Sequence, residues 1–216
     1  MRPVSRRQLF LDLLTETRVY AVTDDRLESR KLIGVVEAAL RGGVRLFQLR
    51  DKRRSDRERV ALAQALGGTI RKQGGLLIVN DRADLALAAD SDGVHLGQDD
   101  LPVATGRKLV GQDRIVGASA SYLAEIPIAL EGGVDYLGFG AVYPTDTKPD
   151  AEYAGLDLLR EACGLCPAPV VAIGGISGER AREVLAQGPR GIAVVSALFR
   201  SANVEEAART LIAACK

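Results

Sequence analysis

Two carboxylates stand where apolar runs stop. Asp81 closes Leu77-Ile78-Val79-Asn80-Asp81-Arg82, and Asp100 closes Val94-His95-Leu96-Gly97-Gln98-Asp99-Asp100. Oxygen donors at the C-terminal edge of strands suit a hard cation such as Mg2+, which takes one or two carboxylates and completes its shell with water and substrate phosphate. A neighbouring run ends in Gln48-Leu49-Arg50-Asp51-Lys52, and another leads into Thr145-Asp146-Thr147-Lys148. Arg grips phosphate oxygens through its planar fork, and Lys does so as a compact charge. Plainer roles are open to each group. Asp81 and Asp99 or Asp100 could cap the helices that follow, and Arg50 and Lys52 could pair with Asp51 or other acids. Both acids standing beside basic strand ends favours a metal–diphosphate complex over a pair of caps.

A second anionic site is expected at Ile173-Gly174-Gly175-Ile176 and Val194-Val195-Ser196-Ala197. The seventh and eighth loops of a β/α barrel commonly hold phosphate on backbone N–H groups, and glycine permits a close approach there. The alternative for Gly174 is a tight turn that needs positive φ. His95 sits within an apolar strand and reads as core. No Cys or Ser stands beside a plausible base. A diphosphate held by Mg2+, Lys and Arg leaves with little general-base help. The residues therefore favour transfer of an activated alkyl group from a diphosphate to a second, phosphorylated acceptor.

Eight apolar runs position these groups: 18–23, 44–49, 76–79, 93–96, 115–119, 135–139, 169–173 and 191–196. Between them lie amphipathic patterns. Leu32, Val35, Val36, Ala39 and Leu40 make a stripe of 3.6-residue period closed by Gly42-Gly43. Further patterns occupy 56–72, 101–111, 121–131, 155–163, 177–187 and 203–215, with a short one at 84–89. Near-continuous apolar strands alternating with helices argue for an α/β protein, a single-domain (β/α)8 TIM barrel. Alternation along the second strand turns Phe47 and Leu49 toward the helices, and Gln48 and Arg50 toward the interior and mouth. Residues 1–17 read as an N-terminal helical extension covering the bottom of a barrel domain at 18–216.

With 216 residues, 47% hydrophobic and 26% charged, the chain can bury one substantial core. A net charge of +1 and the absence of basic blocks or aromatic clusters argue against nucleic acid and membrane partners. Leu9-Phe10-Leu11-Asp12-Leu13-Leu14 is short and carries an acid, so neither a signal peptide nor a membrane span is expected. Three cysteines make no disulfide framework, which points to the cytoplasm. Cys163-Gly164-Leu165-Cys166 has the spacing of half a zinc site, but no second pair follows, and it reads as a helix end.

Eight segments, in order over roughly residues 18–214, resemble the thiamine phosphate synthase family. They are Tyr20-Ala21-Val22-Thr23-Asp24, Gln48-Leu49-Arg50-Asp51-Lys52, Val79-Asn80-Asp81-Arg82 and Gly93 to Asp100, then Gly117-Ala118-Ser119, Asp135 to Gly140, Thr145-Asp146-Thr147-Lys148 and Ala172 to Ile176. The chain departs from the pattern at Ala120, where Thr or Cys is common, and at Ala141, where proline is usual. The resemblance implies joining of 4-amino-5-hydroxymethyl-2-methylpyrimidine diphosphate to 4-methyl-5-(2-phosphoethyl)thiazole, with Mg2+, in a cytoplasmic homodimer. It implies pyrimidine diphosphate contacts from the stretch Gln48, Leu49, Arg50, Asp51 and Lys52, with Asn80, Ser119 and Lys148. Of these, Arg50, Lys52, Ser119 and Lys148 would act on the reacting diphosphate, and Asp81 and Asp100 would hold the metal. Thr145, Asp146 and Thr147 would meet the thiazole phosphate, whose phosphate group would rest on Gly174 and the Val195-Ser196 backbone. Two rivals share the scaffold: a thiazole tautomerase and a thiamine-sensing binding protein. Neither has an evident need for the complete set of Arg50, Lys52, Asp81, Asp100 and Lys148.

Overall fold

The structure is a computed structural model that describes residues 4–145 and 153–216. Its eight parallel strands are β1 (Val19–Val22), β2 (Leu46–Leu49), β3 (Leu76–Asn80), β4 (Gly93–Leu96), β5 (Ile115–Ala120), β6 (Tyr136–Phe139), β7 (Val170–Ile173) and β8 (Gly191–Val194). They pair in sequence order, and β8 closes onto β1, Val19 to Ile192. The helices are α1 (Arg6–Thr17), α2 (Ser29–Arg41), α3 (Asp56–Lys72), α4 (Ala83–Ala88), α5 (Val103–Val110), α6 (Glu125–Glu131), α7 (Gly155–Leu165), α8 (Gly178–Leu185), α9 (Ser196–Phe199) and α10 (Val204–Ala214). The chain is thus a (β/α)8 barrel. Among the described residues, no helix is long and apolar enough to cross a membrane.

Strand alternation divides the apolar residues into two cores. Val19, Ala21, Phe47, Leu49, Val79, Val94, Leu96 and their equivalents face outward and pack under the helices. Tyr20, Val22, Leu46, Leu76, Ile78, Ile115, Tyr136, Val171 and Ala193 face inward. Phe10, Leu13 and Leu14 of α1 join this inner core from the strand N-termini. Each such side chain removed from water contributes roughly 1.5–3 kcal/mol. Helix α1 is also held electrostatically. Arg6 lies 3.4 Å from Asp92, just before β4, and Arg7 lies 3.3 Å from Asp135, just before β6. With the floor sealed by α1, the strand C-termini form the open mouth. Gly117 leaves room in the interior: a Cβ there would come within 2.2 Å of the Tyr136 ring.

Two element boundaries differ from the sequence reading. Helix α6 starts at Glu125, not 121, because the Glu125 carboxylate accepts the Ser121 and Tyr122 backbone N–H groups and ties the preceding residues into a turn. Strand β8 ends at Val194, and Ser196 begins the single turn α9.

Candidate active site

The strand C-termini surround a cavity of about 240 Å³. Of the residues singled out in the sequence, Gln48, Arg50, Lys52, Asn80, Asp81, Asp100, Ser119, Thr145, Gly174, Val195 and Ser196 line it. Leu49 and Asp51 are not brought there. Leu49 packs in the helix-facing core. Asp51 is buried, accepts from the Arg53 and Arg54 N–H groups at 3.0 Å each, and pairs with the Arg54 guanidinium. Burial alone would raise the Asp51 carboxyl, but these donors hold it below the usual range. Asp146, Thr147 and Lys148 lie outside the described residues.

Neither metal candidate caps a helix. Arg82 precedes α4 and Pro102 precedes α5, and neither helix start has a side-chain cap. Asp81 instead sits in left-handed backbone at φ 67°, a conformation aspartate is among the few non-glycine residues to tolerate. Its N–H donates to the His95 carbonyl at 2.8 Å, fixing the loop against β4. Its carboxylate accepts from the Asn80 amide and lies 3.3 Å from Lys52 Nζ. The Asp100 carboxylate accepts from the Gly97 N–H at 2.7 Å. Burial raises the Asp100 carboxyl, and the charge and side chain of Asp81 raise it further against the opposing pull of the Gly97 N–H and Lys52. Two carboxylates in mutual conflict beside an amide oxygen form a donor set that fits a small hard cation. Among the described residues no cluster of three or more His, Cys, Asp or Glu could hold a metal alone, so a cation here would draw the rest of its shell from substrate and water.

The basic groups are paired, yet remain at the cavity wall. Arg50 lies 3.3 Å from Asp25, and Lys52 reaches Asp81. Across the mouth, Gly174 has φ 105°, and a Cβ there would meet Ala141 at 2.6 Å. Backbone packing therefore requires glycine at this position whatever binds beside it. Arg180 stacks on the Tyr143 ring at 4.3 Å and donates to the Gly175 carbonyl, joining the β6 and β7 loops next to Thr145.

The sequence reads His95 as core and assigns Tyr20 and Tyr136 no role, yet all three line the cavity floor. His95 Nδ1 lies 2.9 Å from the Tyr136 hydroxyl and Nε2 lies 2.9 Å from Ser119 Oγ. Burial pushes the imidazole down to about 4, only partly opposed by Asp81, and keeps it neutral. Burial likewise raises both tyrosine hydroxyls, so they stay protonated. Alternation would have turned His95 inward, because Val94 and Leu96 face the helices.

Residues 19–198 match the family described as thiamine monophosphate synthase. The thiamine-phosphate synthase of Persephonella marina is 42% identical over 189 residues, which is 87% of this chain and 90% of the relative. That of Chlorobium luteolum is 46% identical over 187 residues, 86% of this chain and 88% of the relative. The solved thiamine phosphate pyrophosphorylase of Pyrococcus furiosus superposes with a TM-score of 0.86 at 39% identity, over 94% of this chain and 97% of that one.

Proposed function

The chain belongs to the thiamine monophosphate synthase family, and from that premise we propose that it condenses 4-amino-5-hydroxymethyl-2-methylpyrimidine diphosphate with 4-methyl-5-(2-phosphoethyl)thiazole to thiamine phosphate and diphosphate. The activity is that of a transferase. The observation that carries the metal-assisted reading is the Asp81–Asp100 pair beside Lys52 at the strand C-termini, with neither acid capping the helix that follows it.

Arg50 and Lys52 would bind the diphosphate, with Lys148, and draw negative charge onto it as the bond from the pyrimidine methylene carbon to oxygen breaks. The electron pair leaves with that oxygen. The thiazole nitrogen then gives its lone pair to the methylene carbon, and no proton needs to be removed. Gln48 and Asn80 would orient the pyrimidine diphosphate, and Ser119 would donate to it. Asp81 and Asp100 would hold Mg2+, whose charge when bound eases departure of the diphosphate. Thr145, Asp146 and Thr147 would meet the thiazole phosphate, with its phosphate group against Gly174 and the Val195-Ser196 backbone.

The reaction would belong to the barrel domain, 18–216, with 1–17 as its helical extension. The protein would act in the cytoplasm as a homodimer on small molecules, with neither nucleic acid nor membrane as partner. Incubation with both substrates and Mg2+ should yield thiamine phosphate and diphosphate together. Full turnover in excess chelator would sink the metal assignment. Binding without product would favour a sensor, and isomerisation of a thiazole carboxylate phosphate would favour a tautomerase.

A further inference from the structure

A file of hydrogen-bonding side chains crosses the barrel beneath the cavity. Gln48 Nε2 donates to the Tyr20 hydroxyl at 3.3 Å, and the Tyr20 and Tyr136 hydroxyls lie 2.9 Å apart. The file continues from Tyr136 to His95 Nδ1 and from His95 Nε2 to Ser119 Oγ, each over 2.9 Å. Gln48, Tyr20, Tyr136 and His95 are buried, while Ser119 is half-buried at the cavity wall.

The file has a direction because each hydroxyl carries one proton. With Gln48 donating to Tyr20, the order in which every hydroxyl both accepts and donates within the file sends the Tyr20 proton to Tyr136. Tyr136 accepts that one, so its own goes to Nδ1. A neutral imidazole that accepts at Nδ1 carries its hydrogen on Nε2 and donates it to Ser119 Oγ. The Ser119 hydrogen is then left for the cavity. In the reverse order Gln48 would accept, Nδ1 would be protonated, and Ser119 would turn its hydrogen away from the cavity to Nε2. The rings are held so that the file stays closed: Phe10 of α1 stacks on Tyr136 at 4.7 Å and meets Tyr20 edge-on at 6.1 Å.

We propose that the Gln48–Tyr20–Tyr136–His95 file fixes Ser119 as a hydrogen-bond donor into the cavity, directed at an acceptor oxygen of the pyrimidine diphosphate. Tyr136 and His95 are then positioning residues that act through Ser119. The target oxygen rests on the function proposed above, whereas the direction of the file does not.

The chain's single histidine makes the direction measurable without assignment. In the full-length protein labelled with 15N-histidine, long-range nitrogen–proton correlations should place the hydrogen on Nε2 and leave Nδ1 bare. Tyr136→Phe should admit the other tautomer. A wild-type protein with the hydrogen on Nδ1 overturns the proposal, whether or not thiamine phosphate is made. In the catalytic arm, Tyr136→Phe should lower kcat/KM for the pyrimidine diphosphate about tenfold, the worth of one hydrogen bond. In a Ser119→Ala background the same change should cost less than about twofold. An equal loss in both backgrounds would show that Tyr136 supports the barrel and not the serine. Absence of product from wild-type protein would sink the proposed reaction and leave the tautomer to decide the file.

Discussion

Replacing Asp81 with Asn separates a structural acid from a charged ligand, because stability and turnover should respond differently. Asn keeps the shape and tolerates the left-handed backbone at φ 67°. No helix cap is lost, since α4 has none from a side chain. The ion pair with Lys52 spans 3.3 Å, but the lysine side chain is 57% exposed, so its loss should cost well under 1 kcal/mol. Removing the charge also relieves Asp100, which Asp81 pushes upward. The unfolding free energy in urea should therefore stay within about 1 kcal/mol of wild type. Turnover should fall roughly 10²-fold or more, about 2.7 kcal/mol of lost support for the departing diphosphate. Asp100→Asn should behave likewise, with the Gly97 N–H still finding an amide oxygen. The assay is thiamine phosphate formation across a Mg2+ titration. Turnover of Asp81→Asn within a few-fold of wild type at limiting Mg2+ refutes the reasoning.

Ser196→Pro, which deletes the Ser196 N–H at the first residue of α9, should raise KM for the thiazole phosphate more than KM for the pyrimidine diphosphate; equal weakening with the fold intact would show that the two anion sites are not separate. Gly174→Val is a poorer probe of the same site, because its new Cβ would meet Ala141 at 2.6 Å, and a lowered melting temperature is expected before any change in KM is read. Phe10→Ala empties a fully buried position between two tyrosines and should cost about 3–5 kcal/mol in denaturant unfolding; a loss below about 1 kcal/mol would mean that α1 does not seal the floor. The folded His95 titrates near 4 and the unfolded one near the ordinary 6.5, so the unfolded chain binds the extra proton between these values. Stability should fall as pH drops through that window, by up to about 3 kcal/mol, and the His95→Gln protein should lack this part of the slope.

The barrel was legible because its strands are covered on both faces and read as unbroken apolar runs, and because Arg50, Lys52, Asp81 and Asp100 each mark an abrupt change of residue type at a strand end. Those runs said less about where an element stops. Val194-Val195 continues without a break into Ser196-Ala197-Leu198-Phe199, so nothing local separates β8 from the single turn α9. The floor of the cavity was hidden for a different reason. A tyrosine or histidine within an apolar run looks like core, and Tyr20, His95 and Tyr136 are indeed buried. What makes them a hydrogen-bonded file is that closure sets Tyr136 against partners 41 and 116 residues away. Alternation tells which residues enter the barrel, while strand stagger decides which of them meet at one level. Charges at the mouth announce themselves one strand at a time. A polar contact across the interior exists only once eight strands have closed, so the residues that orient Ser119 belong to the fold before they belong to any motif.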